Sequence, residues 1–285
     1  MTKRNMFAAV CLSVLGCVFA LAEDRVEGDS AKRFAELSES PWKLVFSDPC
    51  TGDWNDRWTL DGKRAMVRTG PTGMEFTAGP DPGDEAHHAV LWTRSDFEGD
   101  LKIEYEYTRL DNEHRKVTII YVQATGSGKP GFDKDISAWA DKRSVPSMKT
   151  YRNNLNAYHI SYAAFENQNE DPGNDYIRAR RYVCSDLAGT ELDKEYEKTG
   201  LFETGVPHKI TIIKQGRDLY MKIKNDKKEF LCHFVNSRFA PITEGKIGLR
   251  HMNTRSARYK DFRVSVLADE NPESGIPKKD TKTTR

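Results

Sequence analysis

The stretch Asn154-Leu155-Asn156-Ala157-Tyr158-His159-Ile160-Ser161-Tyr162-Ala163-Ala164-Phe165 decides how the rest of the chain is read. Aromatic and β-branched residues following an asparagine-rich turn predict a β-strand. Side chains alternate across a strand, which puts Asn156, Tyr158, Ile160 and Tyr162 on one face and Ala157, His159, Ser161 and Ala163 on the other. The second face is unusual for a core, because an imidazole and a hydroxyl sit between alanines with room around them. A strand lining a ligand groove has this composition. A buried histidine hydrogen-bonded to a neighbour has it too, and the residues leave both readings open.

Working outward, the same kind of segment recurs. Asp100–Arg109 alternates cleanly, with Leu101, Ile103, Tyr105 and Tyr107 opposed to Lys102, Glu104 and Glu106. Val117–Ala124 is nearly all apolar and predicts a central strand buried on both faces. Further strands are expected at Trp42–Asp48, Arg57–Leu60, Arg64–Thr69, Met74–Thr77, His88–Arg94 and Tyr176–Val183, and a hairpin at His208–Gln215 and Asp218–Asn225. Glu229–Val235, Lys246–Met252 and Ala257–Leu267 follow, and the strands after residue 205 read as outer and half-exposed. Gly79–Glu85 forms an acidic, proline-stiffened loop. Thr125–Asn154 is a long insertion, of the length that in a compact domain is usually functional, with a helical turn near Ile136–Lys142 and Trp139 and Tyr151 as its aromatic contacts. Leu187–Thr204 is polar and reads as a short helix. Many short strands with Gly/Pro turns and little helix predict an all-β jelly-roll β-sandwich of two antiparallel sheets over residues 42–268.

The flanks are different. Thr2-Lys3-Arg4-Asn5, the apolar run Met6–Phe19 and Ala20-Leu21-Ala22 have the order of a signal peptide cleaved before Glu23, so export to the periplasm or medium is expected; a lipoprotein site at Cys17 is the lesser alternative. Residues 23–41 read as a linker or surface helix, and the charged tail 269–285 lacks apolar periodicity and reads as disordered. No other stretch is apolar enough to span a bilayer. The net charge of +1 over 285 residues provides no global field toward nucleic acid, and no nucleic-acid motif is present. Cys50, Cys184 and Cys232 remain after the leader, an odd number, so at least one thiol stays unpaired. Their spacings fit no zinc pattern.

Four segments carry a resemblance: His87-His88-Ala89-Val90-Leu91-Trp92, Asn156-Ala157-Tyr158-His159-Ile160-Ser161-Tyr162, Gly248-Leu249-Arg250-His251-Met252 and Tyr259-Lys260-Asp261-Phe262-Arg263-Val264. From about Trp42 to Leu267 the chain resembles the YesU-like DUF1961 family of unknown function, within the concanavalin A-like lectin/glucanase superfamily. The resemblance implies a concanavalin A-like jelly roll and use of pectin or another acidic polysaccharide. It brings no established reaction and no catalytic residues. The charged segment between Val183 and Thr204 departs from the family pattern at what would be the groove's rim.

Three chemistries and a binding role fit these residues. A β-eliminase on a uronic polymer needs a base, an acid and a cation that neutralises the carboxylate. The candidates are His159 as base, Tyr158 or Tyr162 as acid and Arg178 or Arg180 as cation. Adjacent strand residues face opposite ways, however, so without a bulge the acid must come from Tyr151 or Tyr176 instead. The Arg178/Arg180 pair also fits a solvated face with local salt bridges. A glycosidase would need paired carboxyls such as Glu104 and Glu106, but Lys102 shares their face and the pattern is that of a solvent surface. A transition metal would draw on His87, His88, His159, His233 and His251, and Ca²⁺ on the Gly79–Glu85 loop; related jelly rolls that act on 3-keto sugars keep a metal-assisted lyase or hydrolase open. A non-catalytic glycan-binding module would use Asn156, His88, Trp92, Trp139, Arg180, Arg250 and His251 to hold a carbohydrate without cleaving it.

Overall fold

A computed structural model describes residues 28–165, 172–185 and 187–268. The leader, the Cys17 alternative and the tail lie outside these residues. Sixteen strands are described: β1 (Trp42–Asp48), β2 (Trp58–Asp61), β3 (Met66–Gly70), β4 (Gly73–Thr77), β5 (Ala89–Thr93), β6 (Phe97–Glu98), β7 (Leu101–Arg109), β8 (Thr118–Gly126), β9 (Leu155–Phe165), β10 (Asp175–Val183), β11 (Tyr196–Glu197), β12 (Pro207–Gln215), β13 (Asp218–Lys224), β14 (Glu229–Val235), β15 (Glu244–His251) and β16 (Ser256–Leu267).

They form two antiparallel sheets. The first has the order β14-β13-β12-β7-β16-β4-β3, with β1 also on β16; the second has the order β11-β10-β9-β8-β15-β5-β2, with β6 on β15. The expected sandwich is therefore present, with one change of position. The last two strands are not outer: β15 and β16 each lie at the centre of a sheet, and β15 is buried along nearly its whole length.

The core between the sheets follows from alternation. Leu101, Ile103, Tyr105 and Tyr107 of β7 meet Ile120, Val122, Tyr158, Ile160 and Tyr162 of the second sheet. Phe46, Trp58, Phe97 and Phe262 close one end through edge-to-face contacts at 5.0–6.3 Å. Cys50 and Cys232 are buried, Cys184 is half-buried and all three are free; burial and the nearby Asp48 carboxylate push the Cys50 thiol up to about 12. Residues 28–38 form a helix, α1, whose Phe34 and Leu37 rest on Ile213 and Tyr220 at the outer face of the first sheet.

The Thr125–Asn154 insertion folds back over the outer face of the second sheet. It contains a 3₁₀ segment, Ile136–Arg143, begun by the Asp135 side chain accepting from the Ser137 amide, and α2 (Met148–Asn154), capped by Ser147. α2 was not expected from the sequence; it is seven residues long and has no apolar periodicity of its own. Glu85 of the acidic loop accepts from the Met148 amide at 3.0 Å and anchors the start of α2, where a carboxylate is favoured. Leu187–Thr204 contains no helix among its described residues; it contributes β11 and an isolated bridge from Glu191 to Arg180.

Candidate functional site

Strand register places two rows of side chains across the outer face of the second sheet. One row runs Thr59, Trp92, Gly248, Tyr121, His159, Arg180; the next runs Asp61, Val90, Arg250, Ile119, Ser161, Arg178. His159, Ser161, Arg178, Arg180 and Arg250 thus share one face.

The insertion covers the Trp92 half of this face. Gly248 makes room there, because a Cβ at that position would lie 2.4 Å from the Trp92 ring. The indole lies across the glycine, stacked on Tyr121 at 5.4 Å and Tyr151 at 6.3 Å. Its Nε1 donates to Asp61 Oδ2 at 2.7 Å. The same oxygen accepts from Arg143 Nε at 2.5 Å and Tyr151 Oη at 2.6 Å, so one buried carboxylate ties the insertion to the sheet. A second tie runs through Arg250, whose Nη2 donates to Pro146 O at 2.6 Å and His88 Nδ1 at 2.9 Å, with its guanidinium 4.6 Å from the centre of the Tyr151 ring. Burial and the Arg250 charge lower the pKa of His88 to about 3, which keeps it a neutral acceptor.

His159 lies beyond the covered half. Its Nε2 bonds Ser161 Oγ at 2.8 Å. The alanines beside it in sequence do not leave it loosely surrounded, because rings from neighbouring strands enclose it: Tyr121 at 5.7 Å and Tyr182 at 5.0 Å, both edge-on. The imidazole is only 4 % exposed. Burial first, then the charges of Arg180, Arg178 and Arg250, hold it well below its ordinary pKa, so it is neutral at neutral pH. Its Nδ1 is buried with no partner in hydrogen-bonding geometry, as are the hydroxyls of Tyr121 and Tyr182 and the Nε and Nη1 of Arg250. A neutral imidazole, two phenols and a guanidinium can together bind an oxygen-rich ligand, or move a proton to or from one.

The other predicted residues fall elsewhere. Tyr158, Tyr162 and His251 point into the core between the sheets. The Tyr158 hydroxyl accepts from Asn236 at 3.1 Å, and His251 stacks on Phe76 at 4.4 Å and bonds the Tyr259 hydroxyl. Strand alternation keeps all three off the face of His159. Ala163 leaves that face as well; its φ of 42° marks a bulge that turns it into the core. Trp92 and Trp139 are buried, as are His88 and Arg250; Trp139 donates to Asp133 O and lies under Arg143. Neither tryptophan is an open platform for a sugar. Asn156 is half-buried, and its amide donates to Thr125 Oγ1 at 3.3 Å.

Arg178 and Arg180 are already paired. Glu195 faces Arg178 at 3.5 Å and Glu191 bonds Arg180, so the charged segment after Val183 supplies the local salt bridges. Tyr151 donates its hydroxyl to Asp61, and Tyr176 lies under Arg178. Lys102 pairs with Glu104 on the outer face of the first sheet. The histidines weighed for a metal do not converge: His87 accepts from the Asp81 amide, His233 bonds Ser30 and Asp218, and no group of three or more His, Cys, Asp or Glu among the described residues is arranged to hold an ion. In the acidic loop, the Asp81 and Asp84 carboxylates accept from the amides of Gly83 and Ala86. Sequence reasoning passed over Tyr121, Tyr182 and Asp61. The two tyrosines stood in predicted strands, and only the pairing of β8 and β10 with β9 brings them to His159.

Residues 44–264 match the family described as "Domain of unknown function (DUF1961)", and the chain belongs to that family. No curated protein matches the sequence. Among solved structures, a Bacillus subtilis protein of unknown function with a galectin-like fold is 19% identical, with a TM-score of 0.61 over 80% of this chain and 100% of that one. The winged bean acidic lectin complexed with methyl-α-D-galactose is 10% identical, with a TM-score of 0.53 over 80% of this chain and 100% of that one. The fold is that of concanavalin A-like lectins. Among the described residues, no helix is long and apolar enough to cross a membrane.

Proposed function

We propose that the protein binds a carbohydrate on the outer face of its second sheet, at the patch centred on His159. One observation carries this reading: His159 Nδ1, the Tyr121 and Tyr182 hydroxyls and two nitrogens of Arg250 are gathered and buried on one face with no hydrogen bond of good geometry, the Tyr121 hydroxyl facing Arg250 and Tyr182. Leaving such groups unpaired is costly, and a ligand rich in hydroxyl and ring oxygens relieves that cost. The likeness of the fold to lectins supports the same ligand class. The leader-like N-terminus supports export, which an intact mass beginning at Glu23 would test.

A second reading is β-elimination on a uronic polymer. It is favoured by the free, neutral imidazole nitrogen beside two phenols, a base next to an acid. The acid would then be Tyr121 or Tyr182 rather than Tyr158 or Tyr162. The depressed pKa of His159 weakens it as a base, which ranks binding first. One experiment separates the two. The secreted protein is incubated with pectic, other uronic and neutral polysaccharides, with and without EDTA. Retention without new chain ends is expected for binding. Unsaturated products would establish elimination, and reducing ends without unsaturation a hydrolase. No retention and no products on any polymer would overturn the carbohydrate reading.

A further inference from the structure

Arg250 is a buried cation without a counter-charge. It is fully buried, and its contacts are the neutral His88, the Pro146 carbonyl, the Tyr121 hydroxyl and the face of Tyr151, none of which carries a negative charge. No carboxylate among the described residues pairs with it. The arginines around it are treated differently: the insertion's buried Arg143 has Asp61, and the partly exposed Arg178 and Arg180 have Glu195 and Glu191. A charge withdrawn from water and left unpaired is destabilising, and a partner of opposite sign relieves that cost.

The unsatisfied atoms around Arg250 have a consistent chemistry. Its Nε and Nη1 only donate, and the Tyr121 and Tyr182 hydroxyls can both donate. The two phenols can also accept, but the guanidinium cannot, so the ligand must present acceptors to Arg250. An oxyanion does so with charge-assisted bonds. We infer that Arg250, with the hydroxyls of Tyr121 and Tyr182, is the receptor for a carboxylate carried by the ligand, which makes the ligand a uronic sugar. This rests on the proposal that the face takes a carbohydrate. It assigns the anion-reading role to Arg250, while Arg178 and Arg180, held by their glutamates, form the margin by which the ligand enters, with side chains 29% and 14% exposed.

The test uses the mature protein with galacturonate and glucuronate oligomers, their methyl esters, neutral oligomers of the same length and a sulfated neutral oligomer, followed by calorimetry and thermal shift. The acid forms are expected to bind about 10-fold or more tighter than the esters. Tyr121→Phe and Tyr182→Phe should each leave the protein folded and weaken binding of the acid severalfold more than binding of the ester. Arg250→Lys should erase the preference for the acid. Equal affinity for acid and ester, with binding still lost in His159→Ala, would overturn the carboxylate receptor and leave the carbohydrate reading intact. Tighter binding of the sulfated oligomer would overturn the carboxylate in favour of a sulfate ester. If no oligomer binds but free glucuronate stabilises the wild type and not Arg250→Lys, the receptor stands and the carbohydrate-polymer reading falls. No response to any anion would overturn the receptor outright.

Discussion

Tyr151 of the insertion donates its phenol to Asp61 of β2 at 2.6 Å, joining residues 90 positions apart on the covered half of the face that carries His159. Arg143 and Trp92 share the same carboxylate oxygen. The insertion is therefore held by a buried hub, in addition to apolar contacts such as Ile136 and Trp139 on Trp92 and Tyr121.

Asp61→Ala is expected to destabilise the protein by about 3–5 kcal/mol, because Arg143 is left as an unpaired buried charge. Tyr151→Phe removes one of three donors and should cost only about 0.5–1.5 kcal/mol. Urea denaturation of both variants checks the ranking. Equal, small effects would mean that the hub is not buried in solution.

Stability should fall with acidity before the carboxylates titrate. His88 and His251 have folded pKa values of about 3, and those of His159 and His208 are also lowered, by burial first. In the unfolded chain each takes up a proton near pH 6.5, whereas the folded protein refuses it until far lower pH. The unfolded state binds more protons over that window. Stability is therefore full above about pH 6.5 and is lost as pH falls toward 3, by at most about 1.4 kcal/mol per pH unit for each histidine. Urea midpoints measured from pH 7 to pH 5 should decline, and less steeply in His251→Gln. A flat profile would show that these imidazoles are not held neutral.

Much of this was legible in the sequence. Alternation along Asp100–Arg109 and the apolar run at Val117–Ala124 fixed two strands and their burial, because period-two patterning is a local property. The face holding His159 and Ser161 was legible for the same reason. Pairing was not. Which strands flank β9 depends on long-range contacts, so Tyr121 and Tyr182, the rings that enclose His159, stayed hidden. Asp61 falls just past the expected strand Arg57–Leu60, and its role comes from chain that returns 82 and 90 residues later. Trp92 and Arg250 read as exposed binding groups because nothing local signalled that the insertion would cover them. Ala163 broke alternation through a bulge that no residue type announced.

Gly248→Ala should disturb the site without touching a polar group. The added methyl meets the Trp92 ring at 2.4 Å, and the indole is held on its other contacts by Tyr121, Tyr151 and Asp61. Overpacking of this kind costs about 1–3 kcal/mol. The near-ultraviolet circular dichroism, dominated by stacked aromatics, should change together with the loss of stability. An unchanged spectrum would mean that Trp92 lies elsewhere.

His159→Ala bears most directly on function. An unpartnered nitrogen is not by itself a mark of function, since core His251 also leaves Nδ1 free; His159 differs in being a histidine set among phenols and arginines on a sheet's outer face. It has Ser161 on Nε2 and nothing on Nδ1, so the stability it contributes is limited to ring packing and one hydrogen bond. Removing the ring should cost about 1–3 kcal/mol, the range for stranding one buried partner, and leave a folded protein. Binding of the best carbohydrate should weaken by about 10-fold or more, the scale of one charge-assisted or buried hydrogen bond lost to the ligand. If the protein is an eliminase, the rate should fall by about 10²–10⁴-fold instead, with the fold intact. Thermal melting run beside the binding and product assays distinguishes these results. A destabilised variant with unchanged affinity and rate would return His159 to a purely structural role, and the unpartnered nitrogen would then need another explanation than a ligand.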